Sequence, residues 1–129
     1  PKDAELVLNV ILPLEITNGN DDMQRGMWFR SQQRKRYAKK MPIRTPFEFP
    51  VAIRVTRILG PRQRLWDSDS TTRGSVKELI DSMVECGWFV DDGPRHISEC
   101  LGVQDSSRRE KGPAVQIKIW KAGSHNPKS

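Results

Sequence analysis

The stretch Ser75-Val76-Lys77-Glu78-Leu79-Ile80-Asp81-Ser82-Met83-Val84-Glu85-Cys86-Gly87 decides how the rest of the chain is read. Val76, Leu79, Ile80, Met83 and Val84 recur at i, i+3, i+4, i+7 and i+8, the spacing of a helix with one apolar stripe. Ser75 followed three residues later by Glu78 makes a capping box, and Gly87 is a C-terminal stop. The pattern predicts an amphipathic helix over 75–86. Lys77 and Asp81 fall just outside one edge of the stripe, and Glu78 and Glu85 are expected to face water.

Strand signals lie on both sides of that helix. Residues 5–12 are rich in branched apolar side chains and end at Pro13. In residues 47–58, Phe47, Phe49, Val51, Ile53 and Val55 alternate with Glu48, Pro50, Ala52, Arg54 and Thr56. That period of two predicts a strand with one buried face, and Pro50 suggests an edge position or a bulge near its start. His96–Val103 and 115–120 read as two further strands, while 17–27, 60–74 and 104–112 have loop composition. Ser31 is placed to cap a short basic helix over 32–40, whose apolar residues are little more than Tyr37 and Ala38. The expected class is α+β: a small mixed β-sheet with one main amphipathic helix and a short basic helix. One domain over 1–121 and a flexible tail over 122–129 complete the expected organisation.

Composition narrows the chemistry. The 129 residues carry 22 Lys and Arg against 16 Asp and Glu, a net charge of +6 that favours a polyanionic partner. No apolar run is long enough for a transmembrane helix, so no membrane partner is expected. The start, Pro1-Lys2-Asp3-Ala4-Glu5, does not read as a signal peptide. Cys86 and Cys100 make neither a disulfide framework nor a zinc site, and are expected as free thiols in a reducing cytoplasm. A Ser-His-Asp triad would have to rest on His96 alone, because His125 lies in a polar tail. No glycine-rich phosphate loop is present.

Two charge patterns stand out. From Arg25 to Arg44 there are eight basic residues and no acidic one: Arg25, Arg30, Arg34, Lys35, Arg36, Lys39, Lys40 and Arg44. Such a run suits a solvated helix, and it equally suits contact with a phosphate backbone. Asp67 and Asp69 sit two apart, which in an extended segment puts both carboxylates on one side. Asp91 and Asp92 follow the helix, where the returning chain could bring Asp92 near that pair. Clustered carboxylates raise one another's pKa unless a cation sits among them. An all-oxygen set suits Mg²⁺ and metal-assisted phosphodiester hydrolysis. Each of these aspartates also reads as an ordinary turn residue, since D-x-D and D-D-G-P are common turn strings.

From Trp66 to Ile97 the chain runs W-D-S-D-S-T-T-R-G-S-V-K-E-L-I-D-S-M-V-E-C-G-W-F-V-D-D-G-P-R-H-I. This resembles the RusA family of Holliday junction resolvases, whose pattern is roughly D-x-D-N-L, a helix carrying a lysine, then G-[FWV]-x-x-D-D. Lys77, Asp81, Gly87, Trp88 and Asp92 fall in step with it over about thirty residues. Outside that window only the order of elements is similar.

The resemblance implies a RusA-like α+β homodimer of a bacterial or phage-infected cytoplasm. It would be a Mg²⁺-dependent endodeoxyribonuclease that cuts branched double-stranded DNA, such as four-way junctions, in recombination and repair. Carried over by position, Asp67, Asp69 and Asp92 correspond to the metal-binding aspartates, with Asp91 beside them, and Lys77 to the catalytic lysine. Arg25, Arg30, Arg34, Lys35, Arg36, Lys39, Lys40 and Arg73 would then contact DNA. The sequence departs from the pattern in two places. Ser70 stands where an asparagine follows D-x-D, and the Asp69–Lys77 interval is eight residues where some members have four, a register that would put Arg73 in the lysine's place. Four residues are about one helical turn, so Lys77 keeps its face. The competing reading is a noncatalytic basic nucleic-acid-binding module, and a protein-interaction domain fits less well.

Overall fold

The computed structural model describes residues 5–16, 26–66 and 75–122. Four strands form one mixed sheet: β1 (Leu6–Leu12), β2 (Val51–Ile58), β3 (Ile97–Asp105) and β4 (Ala114–Lys121). Their spatial order is β1-β4-β2-β3. β4 is antiparallel to both β1 and β2, whereas β2 and β3 run parallel. Parallel neighbours need a crossover, and here it contains α2 (Ser75–Glu85). The second helix, α1 (Met27–Lys39), packs on α2. A 3₁₀ turn, Arg109–Lys111, precedes β4. The α+β class expected from the sequence is the class observed.

The core lies between one face of the sheet and the helices. Val51, Ile53 and Val55 of β2 and Val115, Ile117 and Ile119 of β4 meet Val76, Leu79, Ile80 and Met83 of α2. The apolar stripe of 75–86 therefore faces the sheet as its spacing requires. Gly87, at φ 88, ends the helix. The Trp88 amide donates to the Met83 carbonyl at 2.9 Å and the Gly87 amide to Val84 at 3.0 Å, which is the paired closure of a Schellman motif.

Five expectations are corrected. β2 is an interior strand rather than an edge strand; the other reading of Pro50, a bulge near the strand's start, fits, because Pro50 lies just before β2 and the pairing with β3 shifts register between Val51 and Ala52. With a neighbour on each side, β2 also buries Ala52 and Thr56 on its second face. The basic helix begins at Met27, not Gln32, so Ser31 is internal. Gly26, at φ 89, sets that start, and its carbonyl accepts the Arg30 amide. Glu78 does not face water: it is 2% exposed and its Oε1 accepts from Arg34 Nη1 at 3.0 Å. The last strand residues before the charged loop include Gln104 and Asp105. Ala122, expected in the tail, donates its amide to the Pro50 carbonyl at 2.8 Å.

Candidate active site

The first turn of α2, the chain returning from its end and the start of β3 converge on a cleft of about 200 Å³. Its lining is Val76, Lys77, Ile80, Asp92, Ile97 and Cys100. Lys77 and Asp92, paired in the sequence only by a motif, thus share one cavity. Lys77 is largely exposed and its Nζ lies 3.4 Å from Asp81 Oδ2, one turn on. Cys100 reaches the surface but is closely surrounded, and burial pushes its thiol up to about 11. At neutral pH it lines the cleft as a neutral thiol rather than a thiolate.

The far end of α2 is what fixes this geometry. Trp88, 1% exposed, donates from Nε1 to the Pro42 carbonyl at 2.7 Å. The Arg44 amide donates to Cys86 and the Phe47 amide to Trp88. The segment before β2 is thereby joined to the end of α2, and the chain then turns back through Asp91-Asp92-Gly93. Asp91 Oδ1 accepts the Gly93 amide at 2.7 Å, and its Oδ2 lies 3.9 Å from His96 Nε2. The Gly93 carbonyl in turn accepts the amides of His96 and Ile97. Of the two adjacent aspartates, Asp91 closes the turn and Asp92 faces the cleft.

Asp67, Asp69 and Arg73 lie outside the described residues. The residue before them is held firmly. Gln104 of β3 accepts the Trp66 amide at 2.8 Å and donates to the Trp66 carbonyl at 2.9 Å, so one side-chain amide pairs the backbone as a strand would. Arg57 stacks on the Trp66 ring at 3.6 Å and donates to Gln104 Oε1 and the Arg64 carbonyl. Burial lowers the Arg57 pKa, with the charge of Glu15 opposing. No motif marked Gln104, Arg57 or Cys100. They become neighbours of the site only through the parallel pairing of β2 with β3.

The cations expected to touch DNA divide into groups. Arg34 is bound to buried Glu78 and reaches Glu85 at 3.6 Å. Arg36 donates to Gln33 Oε1 and Lys40 to the Pro13 carbonyl. Arg30, Lys35 and Lys39 make no side-chain hydrogen bond or ion pair with another described residue. Arg25 lies outside the described residues.

Among the described residues no group of three His, Cys, Asp or Glu side chains could hold a metal ion. A metal at this cleft therefore needs donors besides Asp92. The potential donors described in the cleft are the Asp92 carboxylate and the Cys100 thiol, so a hard, oxygen-seeking cation would depend on further oxygen ligands there. No helix among the described residues is long and apolar enough to cross a membrane. No family model matches the chain, and no curated protein matches it in sequence.

Proposed function

We propose that the chain is a Mg²⁺-dependent, structure-selective endodeoxyribonuclease that resolves four-way DNA junctions as a homodimer. The observation that supports this most is the cleft shared by Lys77 and Asp92, which lies where α2 begins, directly after the segment carrying Asp67 and Asp69. A cation and a carboxylate in one small cavity suit a phosphodiester: the carboxylates hold the metal and the lysine offsets charge that develops on the phosphate oxygens. Asp67, Asp69 and Asp92 would hold Mg²⁺, which supplies an activated water and charge neutralisation when bound. Arg30, Lys35 and Lys39 would contact the DNA backbone. A C₂ dimer would present two such clefts with the approximate two-fold symmetry of a four-way junction.

The test is cleavage of a synthetic four-way junction with Mg²⁺ and with EDTA. Wild type should cut only with the metal, and Asp92→Asn should bind the junction at least as tightly without cutting it. Junction binding without cleavage by wild type would favour the noncatalytic binding module instead. Light scattering should give a dimeric mass.

A further inference from the structure

A second cavity, of about 450 Å³, opens on the other side of Lys77, between the first turns of α1 and α2. Met27 and Trp28 form one wall, at 80% and 75% exposure. Arg30, Lys77 and Asp81 contribute charged groups to it, while Arg34 there is tied to Glu78. A large aromatic left in water forgoes the stabilisation of burial, and the helix that carries Trp28 buries only Gln33 and Tyr37. The indole therefore contributes little to packing. A cavity of this size is within the range of small-ligand sites.

Building on the nucleic-acid reading above, we propose that this cavity is a stacking subsite for a single unpaired nucleobase, seated on Trp28 with its flanking phosphates against Arg30 and Lys77. A base has a flat π-face for the indole and an anionic phosphate on each side for the two cations, which is what the cavity offers. A purely apolar peptide would leave Arg30 unmatched, whereas Lys77 is already paired with Asp81 at 3.4 Å. Asp81 adds an acceptor for an exocyclic amino group, such as that of cytosine. Bases within a duplex keep their faces stacked on one another, so only a base freed at a branch point or in a single strand can enter. Because Lys77 borders both cavities, the freed base and the phosphate at Asp92 would be near neighbours on one strand. The subsite would thus make the cleft selective for branched over continuous DNA.

The experiment is carried out in EDTA, so that it does not depend on cleavage. A four-way junction carrying 2-aminopurine at the branch point is titrated with wild type, Trp28→Phe and Trp28→Ala, beside a linear duplex of the same sequence. Stacking on Trp28 should quench the probe with wild type and with Trp28→Phe. Trp28→Ala should lose the quenching and weaken junction binding about 5- to 150-fold, the equivalent of 1–3 kcal/mol per stacked base. Duplex binding and the melting temperature should stay unchanged. Quenching and junction affinity that survive in Trp28→Ala overturn the subsite, as does a Trp28→Ala protein that changes only its oligomeric mass. Trp28-dependent quenching by a protein that never cuts with Mg²⁺ upholds the subsite and rejects the nuclease. Cleavage without such quenching does the reverse.

Discussion

The two helices pack against each other yet are built on opposite principles. α2 carries an apolar stripe that fills the core beneath the sheet. α1 has no such stripe, and its buried residues are Gln33 and Tyr37. α1 is held by one aromatic, Tyr37, which joins the core cluster, and by polar bonds to α2: Arg34 on Glu78, and Ser82 Oγ donating to the Arg34 carbonyl at 3.0 Å. The difference teaches that one element is placed by hydrophobic burial and can offer its first turn to chemistry. The other is placed by one buried aromatic and a few specific bonds, which leaves most of its surface for a partner.

The largest effect expected tests whether the exposed first turn of α2 is functional while the rest is structural. Lys77→Ala should lower the junction cleavage rate by about 10²–10³-fold, the loss typical for one group stabilising developing charge. Its stability should hardly change, because an exposed i,i+4 pair such as Lys77–Asp81 contributes only about 0.3–0.5 kcal/mol. Parallel cleavage assays and thermal melts separate the two. If Arg73→Ala is the damaging change and Lys77→Ala is mild, the lysine's place in the motif belongs to Arg73.

The opposite end of α2 should respond only in stability. A Cβ on Gly87 would lie 2.5 Å from the Arg44 carbonyl oxygen, and the residue sits at φ 88. Gly87→Ala combines a left-handed backbone penalty with a clash against main chain, together about 3 kcal/mol. Urea denaturation should show this as a lower midpoint. An unshifted midpoint would mean that the closure joining α2 to residues 42–47 is not a firm part of the fold.

The junction between the helices should come next. Arg34→Ala leaves Glu78 buried without its cation, at a cost of about 2–3 kcal/mol, at or below the lower limit for broken buried pairs because Arg34 is itself partly exposed. Adding Glu78→Gln should recover part of the loss by removing the stranded charge. If Arg34→Ala melts like wild type while junction binding weakens, the arginine serves DNA and the polar joint is unimportant.

This contrast also accounts for what the sequence made legible. Periodicity found α2 because its partner is a flat apolar sheet, and any residue facing that sheet has to be apolar. The stop at Gly87 was legible because few residues adopt positive φ. The start of α1 was not, since Met27, Trp28 and Phe29 follow a glycine- and asparagine-rich run and give no periodic signal. Glu78 was misread for a related reason: a charged residue on the side of the helix away from the stripe faces water unless another element covers it, and Arg34, from 44 residues away, does so. At the candidate site, Lys77 and Asp92 were singled out by the motif resemblance, and the structure places both on one cleft. Cys100, Gln104 and Arg57 depend on the pairing of β2 with β3, which no local pattern encodes.

The smallest effect on stability should come from the cations of α1 that are left over once the structural ones are set aside. Arg36 and Lys40 keep their charge but are drawn toward Gln33 and Pro13. Arg30, Lys35 and Lys39 have no such engagement among the described residues, so replacing all three by Ala should change stability by no more than about 0.5 kcal/mol per site. Their loss should instead appear in the salt dependence of junction binding. Each phosphate contact contributes about −0.9 to the slope of log K against log salt, so the triple variant should be shallower by about 2.7 per chain. Arg34→Ala should leave the slope nearly unchanged, because its charge is already matched by Glu78. The two outcomes reversed, a steep loss with Arg34 and none with the triple variant, would mean that the polar joint opens to meet DNA. α1 would then be a mobile reader rather than a fixed one.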